Sequence, residues 1–261
     1  MSVLITPPDA RGIATLTLDR PQRHNAFDDT LLGDLTAALQ TLAADAALRV
    51  LVLAANGRSF SAGADLDWMR RTAAYGHAEN LADAQALAQL MHRLDRFPRP
   101  TIARVQGSAF GGGVGLVACC DIAVCAPEAT FCLSEVRLGL IPAVISPYVI
   151  RAIGARQARR YFLTAEPFTA ARAHAIGLVH EVVAADALDD AIDRLTAALR
   201  EGAPDAQCEA KDLLFLCDGQ AIDAALIAST AHRIADRRAS PEGQHGLHAF
   251  LTKTTPNWRQ G

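Results

Sequence analysis

The chain has 261 residues, 51% of them hydrophobic and 20% charged, with a formal net charge of −3. That length buries a substantial core in one large domain, or in a domain with an appendage. The acidic balance and the lack of a basic run remove the electrostatic basis for nucleic-acid binding.

Val3 to Thr6 and Ile13 to Leu18 read as strands around a Pro-Pro-Asp-Ala-Arg-Gly turn, a hairpin signal. Asp28 or Asp29 caps a helix whose apolar face is Leu31, Leu32, Leu35, Ala38, Leu39 and Leu42. Arg49 to Ala54 is a continuous apolar run, the mark of a buried strand. A short strand, Ser59 to Ser61, leads to Asp65, which is placed to cap the next helix. A helix is expected over 79–96, ended by Arg99-Pro100. Strands follow at Thr101 to Val105, Asp121 to Val124 and Thr130 to Leu133.

Pro142 is expected in the first turn of a helix running through Ile150, followed by a helix from Ala155 to Leu163. Leu188, Ile192, Leu195 and Leu199 mark another amphipathic helix. Beyond residue 203 only helical pattern remains, at 204–217, 220–237 and 241–251. The layout is strand-helix units and then an all-helical tail, an α/β chain read as a core over 1–200 and a helical region over 201–261.

The stretch from Gly107 to Glu135 concentrates the chemistry. Gly107, Gly111, Gly112, Gly113 and Gly115 open a run of small apolar residues. A glycine cluster there exposes backbone N–H groups at a helix N-terminus, and these are preorganised donors for developing negative charge. Glu135, straight after a strand, supplies a carboxyl for proton transfer. A strand, glycine turn and short helix occur twice, at 59–70 and 101–118. Two such turns, each giving one N–H to the same oxygen, meet the requirement of a two-donor oxyanion hole. The structural alternative is a tight turn with close helix packing.

Several other classes find little support. Gly113-Val114-Gly115-Leu116-Val117-Ala118 fits a dinucleotide fingerprint, but the preceding strand ends too early. Residues 107–126 are apolar, yet Asp121 and the glycines argue against a membrane span. The eight histidines are scattered without ligand spacing, so no metal is expected. Six cysteines without a C-x-x-C pair read as small buried hydrophobes in a reducing cytoplasm, and MSVLITPPDARG has no signal-peptide pattern. Only two lysines occur, Lys211 and Lys253.

Five blocks in order resemble the crotonase (enoyl-CoA hydratase/isomerase) superfamily. They are Arg20-Pro21 with Asn25-Ala26; Phe60-Ser61-Ala62-Gly63-Ala64-Asp65-Leu66; Gly107 through Gly113 with Cys120-Asp121; Ser134-Glu135 with Leu138-Gly139 and Pro142; and Ala175 with Gly177-Leu178-Val179. The resemblance implies a spiral of ββα units, a ClpP-like fold, with a helical C-terminal region that makes a homotrimer or a dimer of trimers. It implies an acyl-CoA thioester as substrate and no separate cofactor. The thioester oxygen would sit between the N–H groups of Ala64 and Gly112. Ala62, Asp65, Leu66 and Gly111 would line the substrate, and Lys253 would reach coenzyme A from a neighbouring subunit.

One departure stands out. Hydratases of the family carry two glutamates around the water; the second matches Glu135, but Gly115 stands at the first. A single glutamate also resembles the Δ3,Δ2-enoyl-CoA isomerases. The finer pattern, Gly115 to Asp121, Ser134 to Pro147, Ser61 to Met69 and Ser240 to Gly243, resembles the bacterial methylglutaconyl-CoA hydratases of leucine degradation and the related isohexenylglutaconyl-CoA enzymes. A substrate carboxylate is then expected to fill space left by Gly115, with Arg137, Ser146 and Tyr148 as candidates to hold it. A non-catalytic CoA-binding or scaffold role is the alternative of another class.

Overall fold

The structure is a computed structural model that describes residues 2–259. The outer ends of the two expected regions, Met1 and Gln260-Gly261, lie outside it. The hairpin forms as the turn signal predicts: β1 (Val3–Thr6) pairs antiparallel with β2 (Ile13–Leu18), Val3 opposite Leu18. From β2 the first sheet continues in parallel through β3 (Val50–Ala55), β5 (Thr101–Val105), β7 (Ile122–Cys125) and β10 (Glu181–Val182). The second sheet aligns β4 (Ser59–Ser61), β6 (Ser108–Phe110) and β8 (Thr130–Cys132) in parallel, with β9 (Phe168–Thr169) antiparallel at the edge. Each successive pair, β3/β4, β5/β6 and β7/β8, sends one strand to each sheet. The chain therefore climbs as a spiral of two strands and a helix.

All six residues of β3 are buried, which is why it reads as an unbroken apolar run. Its two faces serve two cores, because side chains alternate along a strand. Leu51 and Leu53 join the main core with α1 (Asp29–Ala43), α3 (His77–Asp95), α4 (Gly112–Cys119) and α5 (Ser146–Thr164). Val50 and Val52, with Ile102 and Val124, face Leu188, Ala191 and Ile192 of α7 (Leu188–Arg200). Burying such aliphatic side chains stabilises by roughly 1.5–3 kcal/mol each. Four of the six cysteines are buried, and burial pushes the Cys120 and Cys125 thiols up to about 12, which keeps them neutral near pH 7.

The structure departs from the sequence reading in three places. Residues 140–145 form a loop rather than the start of a helix; Pro147, not Pro142, occupies the first turn of α5. The loop satisfies its own amides locally, with Leu140 N–H donating to Glu135 O and Ala143 N–H to Ile141 O. The two helices expected across 142–163 are one element broken at Gly154 (φ 76°). Finally, β6, β9, α6 (Ala170–Ala175) and β10 are too short to carry a periodic signal.

The C-terminal part of the described chain folds as α8 (Pro204–Cys217), α9 (Ala224–Ala239) and α10 (Pro241–Thr252). Lys211, one of the two lysines, is buried in α8 and lies 2.8 Å from Asp121 Oδ2. No helix among the described residues is long and apolar enough to cross a membrane.

Candidate active site

The parallel strands β4, β6 and β8 lie side by side, so their carboxyl ends open on one edge of the second sheet. Crevices at the carboxyl ends of parallel strands are where α/β folds place ligands. Three short segments leave this edge: Ala62-Gly63-Ala64 after β4, Gly111-Gly112 after β6, and Leu133-Ser134-Glu135 after β8. They are drawn together by close backbone approach. A Cβ built on Gly63 would lie 3.9 Å from Gly111 Cα, and Gly111 N–H donates to Cys132 O at 2.9 Å. Gly111 has φ +50°, a conformation that favours glycine, and there it turns β6 directly into α4.

Two N–H groups are left over by this arrangement. The loop before α1 bridges the first segment in parallel: Phe27 N–H donates to Gly63 O at 2.7 Å, and Asp65 N–H donates to Phe27 O at 2.8 Å. That pattern uses the groups on either side of Ala64 and leaves the Ala64 N–H facing the opposite way, at an exposed residue. Gly112 is the first residue of α4, so its N–H has no partner within the helix.

Glu135 completes the cluster. It opens a 3-10 turn over Glu135–Leu138 that Gly139 closes in the left-handed conformation. Its carboxylate lies over Gly111: a Cβ there would be 3.1 Å from Oε1. Oε2 is buried and has no hydrogen-bond partner among the described residues. Loss of solvent raises the carboxyl pKa above its ordinary value.

Asp65 is 5% exposed and its carboxylate is committed. It caps α2 (Leu66–Thr72) by accepting from Asp67 N and Trp68 N, and it pairs with Arg23 at 2.9 Å. Burial opposes its ionisation, but Arg23 and the two amides outweigh it, and the pKa is lowered. Leu66 is exposed and Ala62 half-buried. Lys253 stands apart, exposed in the left-handed C-cap of α10, a helix packed on α8 and α9.

The space expected beside Gly115 does not exist. A Cβ there would lie 2.3 Å from Ile145 Cγ2 and 3.2 Å from Met91 Cε. Aliphatic and thioether groups already fill the volume, so a substrate carboxylate has no room there. Of the residues proposed to hold that carboxylate, Tyr148 has the Arg151 guanidinium 5.8 Å from its ring centroid, and the Ser146 hydroxyl donates to Ala143 O at 2.8 Å. Arg137 is exposed. The sequence reading missed Phe27, which follows the Asn25-Ala26 block directly, and Ile145, which carries no local signal.

The profile of the family described as enoyl-CoA hydratase/isomerase matches residues 9–261. The chain belongs to that family. A 2,3-dehydroadipyl-CoA hydratase of Escherichia coli is 35% identical over 261 residues, covering 99% of both chains. The crystal structure of an enoyl-CoA hydratase from Shewanella pealeana superposes with a TM-score of 0.96 at 46% identity, covering 99% of this chain and 96% of that one. Pseudomonas aeruginosa AtuE matches with a TM-score of 0.94 at 36% identity over 100% of each chain. The family's fold is the one described above, the crotonase fold, and the protein is an enzyme of the enoyl-CoA hydratase type.

Proposed function

We propose that the enzyme hydrates the 2,3 double bond of an enoyl-CoA bearing a distal carboxylate. The first candidate is 3-methylglutaconyl-CoA, giving 3-hydroxy-3-methylglutaryl-CoA in leucine degradation; isohexenylglutaconyl-CoA of terpene degradation is the longer-chain counterpart. The observation that carries hydration is the unpartnered, buried Glu135 Oε2 beside two free N–H groups. The thioester oxygen binds between Ala64 N–H and Gly112 N–H, donors fixed where charge develops. Glu135 takes a proton from water as the water oxygen bonds to C3, and charge moves onto the thioester oxygen. Glu135 then protonates C2, which completes the addition of one water molecule. Ala62, Asp65, Leu66 and Gly111 frame the substrate, whose coenzyme A is consumed by no step.

The name of the E. coli relative, 2,3-dehydroadipyl-CoA hydratase, supports the distal-carboxylate class. Lys253 meets coenzyme A only from another subunit of a homotrimer or dimer of trimers. The six free cysteines fit a reducing cytoplasm. A second reading, Δ3,Δ2-enoyl-CoA isomerisation, is favoured by Ile145 at the place of a second carboxylate. One carboxylate suffices to carry a proton between C2 and C4.

The deciding experiment assays purified protein on 3-methylglutaconyl-CoA, crotonyl-CoA and a 3-enoyl-CoA side by side, with Glu135→Gln as control. Glu135-dependent hydration strongest on 3-methylglutaconyl-CoA is expected. Double-bond migration without hydration transfers the enzyme to the isomerases, and turnover unaffected by Glu135→Gln removes the mechanism.

A further inference from the structure

We propose that Phe27 is a positioning residue that sets the separation of the two donor N–H groups. The inference rests on the reading of Ala64 and Gly112 as oxyanion donors. Two independent contacts of one residue carry it. The Phe27 backbone holds the Ala64 turn from both sides, through Phe27 N–H to Gly63 O at 2.7 Å and Asp65 N–H to Phe27 O at 2.8 Å. The Phe27 ring meets Gly112: a Cβ on that glycine would lie 3.0 Å from Cε2, 3.2 Å from Cδ2 and 3.6 Å from Cζ. One side chain and its own peptide groups thus touch both donors. The ring is a rigid spacer between the bridge at Ala64 and the first turn of α4.

The anchoring of Phe27 makes this spacer stiff. Phe27 is 2% exposed in the main core. Asn25, fully buried at φ 52°, fastens the loop leading to it. Its Nδ2 donates to Asn56 O and Ser59 O, each at 2.9 Å, and its Oδ1 accepts from Arg20 N at 2.8 Å. Ser61 Oγ donates to Asn25 O at 2.9 Å, tying the same loop to β4. A donor pair acts on developing charge only at the right spacing, and a small displacement is costly. The absence of a side chain at position 112 is the other half of the contact, since any Cβ there would push against the ring.

The test reads the donors directly. [1-¹³C]Butyryl-CoA, saturated and unreactive, is bound to the enzyme, and its thioester carbonyl frequency is compared with that of the free compound. In the wild type the band moves to lower frequency, the signature of two hydrogen bonds. Phe27→Leu is expected to shrink that shift by about half and to lower kcat about 10- to 100-fold with KM within about threefold, less than complete loss of a donor. Phe27→Met, closer in length to the ring, restores part of both and keeps the measurement usable if the leucine variant does not fold. Gly112→Ala alone is more damaging than Gly112→Ala combined with Phe27→Leu, because the second change makes room for the Cβ. An unshifted carbonyl in the wild type overturns the oxyanion reading and this inference together. A wild-type shift retained in full by Phe27→Leu and Phe27→Met, with unchanged kcat, overturns this inference alone.

Discussion

Glu135 is half-buried with one oxygen unpaired, and loss of solvent raises its carboxyl pKa. In the proposed mechanism the charged form is the base that takes the proton from water, so kcat/KM should fall on the acid side, with a midpoint above that of an ordinary carboxyl. A raised folded-state pKa also means that stability present below the unfolded pKa is lost as pH rises through the folded one. Glu135→Gln should therefore melt higher than the wild type at pH 7, with the difference closing at acid pH, while activity drops about 10²–10⁴-fold. Calorimetry across pH alongside the rate assay checks both. Gly115 and Ile145 make a second residue-scale pair. Gly115→Ala forces a Cβ against Ile145 and should cost about 1–3 kcal/mol by overpacking. Ile145→Ala alone should cost about 2–5 kcal/mol. The double variant should cost less than the sum, because the new methyl enters the vacated space; denaturant melts of the four proteins measure the coupling. The block in the sequence pointed to Glu135, and the structure sets its carboxylate over Gly111. Nothing in the sequence pointed to Ile145, since 30 positions separate it from Gly115 and only the approach of α5 to α4 joins them.

At the scale of elements, α8 is fastened to the spiral by a small number of polar and aromatic contacts. Lys211 Nζ lies 2.8 Å from Asp121 Oδ2, which also accepts from Thr101 N at 2.8 Å and Thr101 Oγ1 at 3.0 Å. Phe215 lies under Arg96, 3.6 Å from the ring centroid, and near Arg151, at 5.1 Å. Lys211→Ala takes the cation from Asp121 and should destabilise toward the low end of about 3–5 kcal/mol, because Asp121 keeps the Thr101 donors and some solvent. Adding Asp121→Asn should recover part of that loss. Hydrogen exchange should show the opening concentrated in α8. The composition singled out Lys211 only as one of two lysines; its partner in the β5–β7 neighbourhood is 90 residues away.

For the molecule as a whole, the helical tail carries little buried surface of its own. α9 has no buried residue among those described, and α10 has only Ala249. Ile227, Ile234, Phe250 and Leu251 are exposed, Phe250 at 81%. Apolar surface of this extent supports the proposal that α9 and α10 pack against further copies of the chain. Sedimentation equilibrium should return a trimer or a multiple of it, and Phe250→Asp with Leu251→Asp should shift the protein toward smaller species. The same substitutions should raise KM if Lys253 serves a neighbouring subunit.

The strands that alternate or run apolar, the cap at Asp28 and the long amphipathic helices were determined by local pattern, since periodicity and capping act over a few residues. So were the glycine turns, because a backbone that bends sharply or approaches another closely demands a particular residue on the spot. The tertiary structure decided what these turns face. It joined Ala64 to Gly112 through Phe27, and it filled the side of Gly115 with Ile145. Those pairings arise where three strand ends and two helices meet, and a contact between distant positions leaves no period in the chain.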